Sequence, residues 1–338
     1  MAPDRASVSV DEGQTGKYLS FVVAARNDNY GVDFLYRLQV FIDRLLSLSM
    51  KYDLDSEIVI VEWNPPPENS KLMEALTWPE NMKPGMVRIV EVPAEAHNRL
   101  PNSDRIPMFE YVAKNVGIRR SSGEYVLSTN PDILFSEQLI EFLSLKQLND
   151  QNFYRVNRYD IGKKLPPGIS IEEQVRFAQK NLIAISYTKY AASMGLHSLK
   201  RAYFALASKY RRAFKTKLLD EVLDVYGLSI INSGDFFLMA KKHWEALLGY
   251  PEFQSHSHID SYMCVIAYSH GLRQVVLKGK KRIYHQYHVR SDASTRPFTD
   301  YEVFSERSKR MLESGVPILF NDESWGLGDQ DLPEVKIS

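Results

Sequence analysis

The apolar residues of this chain fall into short dense runs that alternate with stretches of helical spacing. Residues 18–25 (Tyr-Leu-Ser-Phe-Val-Val-Ala-Ala) suit a buried first strand, stopped by the polar group Arg26-Asn27-Asp28-Asn29. Phe34, Leu38, Phe41, Leu45 and Leu48 then recur at the spacing of one helical face. A β-branched stretch at 57–63 predicts a second strand, ended by Asn64-Pro65-Pro66-Pro67, and 86–92 predicts a third. Residues 106–120 read as a helix after Pro107, and a turn at Gly123 leads to a buried strand at 125–128. Strand, helix and strand in this order predict an α/β protein whose mostly parallel central sheet is flanked by helices.

The second half is less regular. Residues 153–157 read as a strand, whereas 171–226 show long helical patterns with almost no strand signal and predict a helical insertion. The sheet resumes at 236–239. Helices at 241–248 and 259–269 and short strands at 274–277 and 282–287 follow, and the polar tail carries a last helix at 301–312. The expected divisions are a disordered leader (1–17), two halves of one sheet domain (18–158 and 230–290), the insertion (159–229) and a C-terminal extension (291–338). There is no internal repeat.

Composition narrows the class. The chain has 338 residues, 44% of them hydrophobic, as in a soluble globular protein. Lys+Arg and Asp+Glu number 42 each, so no global field draws in nucleic acid or acidic membranes. Cys264 is the only cysteine, which excludes an intrachain disulfide and suits a reducing, cytoplasmic setting. The polar N-terminus lacks the apolar core of a secretory signal. One local exception is the segment from Lys200 to Lys217, where Tyr203, Leu206, Tyr210 and Phe214 share a helical face among seven cations and no acid. Such a helix suits peripheral contact with an anionic membrane or a lipid-diphosphate acceptor, and equally a domain-packing helix with a solvated basic side.

The most informative segment is 115–135. After the predicted strand at 125–128 comes Asn130-Pro131-Asp132, which places two oxygen donors just beyond a buried strand. Open α/β sheets bind their ligands at that edge, and hard cations such as Mg²⁺ or Mn²⁺ favour such oxygens. Asn115, Gly117, Gly123, Glu124 and Tyr125 followed by Asn130-Pro131-Asp132 resemble the nucleotide-sugar glycosyltransferases of the GT-A fold, especially the family-2-like group. There an Asn-x-Gly-(x5)-Gly-Glu-Tyr run precedes a strand ending in Asp-x-Asp. Here Asn130 replaces the first carboxylate, which weakens the expected hold on a cation.

The resemblance implies a GT-A (Rossmann-like) fold and a metal-dependent transfer of a sugar from a nucleotide-sugar donor, commonly a UDP-sugar, to a glycan or glycolipid hydroxyl. It implies nucleotide contacts from Ala25, Arg26, Asn27 and Glu62, and from Asn115 and Asn130 in the motif. Arg105 and Lys114 are candidates for offsetting a diphosphate, or else form an exposed basic helix face. Asn232-Ser233-Gly234-Asp235-Phe236 and His258-Ile259-Asp260 resemble the acceptor side, making Asp260 the expected general base of an inverting reaction, or a helix N-cap. Asp132 and Asn130 are the expected metal ligands, joined by His285, with His288 as fallback. Two histidines three apart on a strand should face opposite ways and not share one ion. His256 and His258 lack the partners of a zinc site. A sugar-phosphate nucleotidyltransferase and a non-catalytic relic that binds nucleotide or glycan are the rival readings.

Overall fold

A computed structural model describes residues 16–185, 188–189, 226–253, 258–289 and 301–337. The elements run β1 (Leu19–Ala25), α1 (Phe34–Lys51), β2 (Ser56–Trp63), α2 (Leu72–Ala75), β3 (Val87–Val92), α3 (Ala94–Asn98), α4 (Glu110–Arg120), β4 (Tyr125–Thr129) and β5 (Ile133–Phe135). Next come α5 (Glu137–Ser144), β6 (Asn152–Val156), β7 (Arg158–Ile161), α6 (Ile171–Lys180), β8 (Leu182–Ile185) and β9 (Thr188–Lys189). The described chain ends with β10 (Phe236–Ala240), α7 (Lys241–Ala246), α8 (Ile259–Ser269), β11 (Arg273–Leu277), β12 (Ile283–His285), α9 (Tyr301–Ser314) and β13 (Glu334–Ile337).

The main sheet has the order β11-β6-β10-β4-β1-β2-β3-β13, in which only β10 and β13 run against the rest. The molecule is therefore α/β, with a mostly parallel central sheet flanked by helices. β1 has no polar face because both faces are covered. Val22 and Ala24 enter a core with α4, α8 and α9, while Phe21, Val23 and Ala25 enter a second core with α1 and α5. The apolar stripe of α1 supplies Phe34, Leu38, Phe41, Leu45 and Leu48 to that second core.

A smaller sheet, β5-β12-β7-β8-β9, lies beyond the end of β4. It was not expected. Asn181 ends α6, and the apolar run Leu182–Ile185 that follows pairs antiparallel with β7, so strand structure enters a stretch expected to be mainly helical. The expected boundary between residues 158 and 159 falls inside β7, which pairs with β12. The C-terminal segment returns to the main sheet, where β13 pairs with β3. Residues 200–217 lie outside the described residues. Among the described residues no helix is long and apolar enough to cross a membrane.

The glycine of the Asn115-x-Gly117 motif explains how close α4 comes to the sheet. A Cβ at Gly117 would lie 2.5 Å from Val22 Cγ1 and 3.0 Å from Val61 Cγ2, both in a packed core. Alanine gains about 1 kcal/mol of helix propensity over glycine, but overpacking costs about 1–3 kcal/mol. Gly117→Ala should therefore lower the urea midpoint. An unchanged or raised midpoint would show that α4 is not held this tightly.

Candidate active site

The carboxyl ends of β1 and β4, the short connection from β4 to β5 and the end of β12 meet at one edge. Asp132 sits in that connection, its backbone carbonyl accepting from Gln286 N at 3.0 Å. Its side chain is largely buried, and Oδ2 lies 3.6 Å from His285 Nε2 and 3.5 Å from His288 Nε2. Arg37 Nε, from α1, is 3.9 Å away. The two terminal nitrogens of the Arg37 guanidinium are engaged with the carbonyls of Tyr30, Gly31 and Val32.

The two histidines were expected to face opposite ways. Strand β12 stops at His285, and the chain bends so that His288 returns to the same point. Each ring has its other nitrogen next to an acceptor: His285 Nδ1 lies 3.3 Å from Asp160 Oδ1, and His288 Nδ1 lies 3.0 Å from Val289 O. Both Nε2 atoms thus face Asp132. Ligand atoms of Asp132, His285 and His288 all come within 4.8 Å of one another, so this donor set fits a divalent cation. Two imidazoles and one carboxylate favour Mn²⁺ and later first-row ions over Mg²⁺, which prefers oxygen.

Burial works against charge on the His285 ring, but Asp132, Asp160 and Asp235 outweigh it and hold its pKa above the usual value. At His288 burial dominates and the pKa lies below the usual value, although Asp132 pulls the other way. Burial pushes the Asp235 carboxyl up against the pull of Arg158 and His285.

From this point a chain of polar contacts crosses the site. Arg158 joins Asp160 (3.0 Å) to Asp235 (3.0 Å), and Asn130 Nδ2 donates to Asp235 Oδ1 (2.7 Å). The Asn130 Oδ1 atom accepts from the buried ammonium of Lys114 at 2.6 Å, which also reaches Glu110 (2.8 Å) and Gly234 O (3.0 Å). Both ends of the Asn130 amide are therefore taken by protein partners. The three side chains that could hold an ion together are Asp132, His285 and His288, and Asn130 is not among them. Lys114 likewise directs its ammonium at protein partners, Glu110, Asn130 and Gly234. Gly234 N donates to Asp260 Oδ2 at 2.8 Å, so the chain of contacts ends at Asp260.

Asp260 lies in the first turn of α8, and Ser261 N donates to its Oδ1 at 2.9 Å. The N-cap is His258, in a left-handed conformation and stacked on Phe304 at 4.7 Å. His256 lies outside the described residues.

The remaining candidates are scattered around the edge. Ala25 ends β1 beside Glu62. Arg26 donates to Asn64 O (2.9 Å) and pairs with Asp28 (2.7 Å), and Asn27 Nδ2 donates to Ser70 O (2.8 Å). Glu62 is buried and accepts from Leu72 N at 2.8 Å, at the start of α2. Arg105 is exposed on the connection between α3 and α4.

Asn115, expected at the nucleotide, has its amide bonded within the protein. It is fully buried, and its amide bonds Tyr250 O (2.8 Å), Glu252 Oε1 (2.9 Å) and Tyr250 N (2.8 Å), which braces the loop after α7. The sequence reading missed Arg37, Arg158 and Asp160. The alternation in Arg158-Tyr159-Asp160 was the available signal, once 158–161 is seen as a strand.

No family model matches the chain, and no curated protein matches it in sequence. Among solved structures, the catalytic domain of Drosophila β1,4-galactosyltransferase 7, in complex with xylobiose, is similar over 88% of this chain and 79% of that one. Its identity is 11% and its TM-score 0.35. At that TM-score the likeness carries no argument about chemistry, which must come from the side chains above.

Glu62 gives a test of the edge itself. Burial raises its pKa to about 7, against the backbone hydrogen bond from Leu72. The folded state then holds a proton that the unfolded state releases near the ordinary value of 4.5. Its contribution to stability is complete below that lower value and disappears as pH rises through the upper one. Between about pH 5 and about pH 8, urea stability of Glu62→Gln should fall less than that of the unaltered chain. Equal losses would show that Glu62 is solvated.

Proposed function

We propose that this chain is a glycosyltransferase that moves a sugar from a nucleoside-diphosphate donor, with UDP the commonest nucleotide of the resembling group, to a hydroxyl of a glycan or glycolipid. The observation that carries this reading is the convergence of Asp132, His285 and His288 at the edge where an open α/β sheet binds its ligands. Asp132, His285 and His288 would hold a divalent cation, Mn²⁺ before Mg²⁺. Once bound, it supplies positive charge beside a departing diphosphate.

The other steps belong to side chains. Asp260 accepts the proton of the acceptor hydroxyl as that oxygen bonds to the anomeric carbon. The bond from that carbon to the phosphate oxygen breaks, its electron pair leaves with the diphosphate, and the sugar centre inverts. The N–H groups of Gly234 and Ser261 orient the Asp260 carboxylate and leave each oxygen a further lone pair. The first loop, through Ala25, Arg26 and Asn27, and the region around Glu62 supply the expected nucleotide contacts, with Arg105 directed at the phosphates.

One observation favours a second reading. The Lys114 ammonium rests on Asn130, where the resembling family has a charged metal ligand. A metal-independent binding protein for nucleotide or glycan would keep that arrangement. Calorimetry with UDP, with and without Mn²⁺, separates the two, since metal-independent binding favours the second.

The direct assay is release of UDP from UDP-sugars in Mn²⁺ without added acceptor. Asp132→Ala should abolish it, and His288→Ala should slow it by about 100-fold or more, since a cation contributes several kcal/mol to such a step. A full rate in Asp132→Ala would remove the proposed metal role.

A further inference from the structure

We infer that Asp160 is a positioning residue for His285, fixing which ring nitrogen carries the proton and so aiming Nε2 at the cation. This deepens the cation reading and rests on it. The placement begins in the backbone. In the parallel pair of β12 and β7, His285 lies in register with Asp160, and Ile283 with Arg158. Side chains two apart on a strand share a face, so Arg158 and Asp160 point the same way. Tyr159 points to the other face and packs against Tyr284, with ring centres 5.6 Å apart.

Asp160 is held before it holds anything. Arg158 Nε lies 3.0 Å from its Oδ1, and the other end of that guanidinium is anchored by Asp235. The register between β7 and β8 shifts just after Asp160, an irregularity of the kind that re-aims a side chain. The same carboxylate oxygen lies 3.3 Å from His285 Nδ1, while Nε2 lies 3.6 Å from Asp132.

A neutral imidazole has one N–H and one lone pair. With the N–H at Nδ1 facing a carboxylate, the lone pair falls at Nε2, on the side of Asp132. The reverse tautomer would set the Nδ1 lone pair against the Asp160 carboxylate, with no hydrogen between them. His288 has the same disposition with a different anchor, the main-chain carbonyl of Val289. A carboxylate at 3.3 Å can carry charge that a main-chain carbonyl cannot, and a charged acceptor beside Nδ1 adds basicity to the ring. Of the two imidazoles, His285 is thus the one whose orientation a single side chain controls.

The test uses the full chain labelled with ¹⁵N-histidine, together with Mn²⁺ calorimetry. In metal-free protein above the His285 pKa, the His285 ring should show the Nδ1–H tautomer, its signal identified by its loss in His285→Gln. In Asp160→Ala that signal should shift to Nε2–H or to a mixture while His288 stays unchanged. Mn²⁺ affinity should fall about 10- to 100-fold. If Asp160→Ala does not fold, Asp160→Leu fills the space without an acceptor, leaves the Arg158–Asp235 pair in place and supports the same measurement. An unchanged tautomer overturns the inference, and so does a switched tautomer with unchanged affinity. If the unaltered chain takes up no Mn²⁺ and Asp132→Asn changes nothing, the cation reading fails. The tautomer signal then decides alone whether Asp160 orients His285.

Discussion

Asp132, Asp160 and Asp235 are three largely buried carboxylates close together at one edge of the molecule, and like charges in so dry a place repel strongly. Arg158 lies between two of them, and the His285 ring lies between Asp132 and Asp160. Arg37 approaches the third without closing on it. Asp132 has Arg37 Nε at 3.9 Å and two imidazole nitrogens facing it at 3.5 and 3.6 Å. A buried carboxylate is costly to hold in charged form unless it is paired, hydrogen-bonded or bound to a metal. The rest of the site follows from how that cost is met.

The same contacts join regions that are distant in sequence. The short turn before β10 offers Gly234 N to Asp260 and Gly234 O to Lys114, while Asp235 reaches Arg158 and Asn130. A path of polar contacts therefore runs from His288 through Asp132, His285, Asp160, Arg158, Asp235, Asn130, Lys114 and the Gly234 backbone to Asp260. In the proposed reaction its two ends are the leaving-group side and the acceptor side. Asn130 belongs in the middle of this path. An aspartate there could not donate to Asp235 as the amide does, which gives a physical reason for the departure from Asp-x-Asp.

Much of the fold was legible because local pattern and burial agree in the parallel core. The dense runs of β1 and β2 and the stripe of α1 sit in a sheet covered on both faces, where apolar content alone marks a strand. Strands β5, β7 and β8 were not legible. Each has only three or four residues, and their pairing depends on partners far along the chain, as β7 with β12 shows. The site divides in the same way. Asp132 and His285 stood out as candidates because one follows a strand and the other ends one. His288 ranked only as the fallback because strand alternation was carried past the bend after His285. Asn115 was read as a ligand contact, although it is an amide spent on the loop at Tyr250 and Glu252. Residue type and spacing do not distinguish a buried brace from a binding group; only its hydrogen-bond partners do.

The central claim is that a cation is held by Asp132, His285 and His288 and not by Asn130. The most direct measurement is anomalous diffraction at the manganese edge from crystals of the full chain soaked in Mn²⁺ and UDP. A single peak should lie among the Asp132 carboxylate and the Nε2 atoms of His285 and His288, with Lys114 still bonded to Asn130. A peak bonded to Asn130, or none at this edge while UDP is bound, would contradict it.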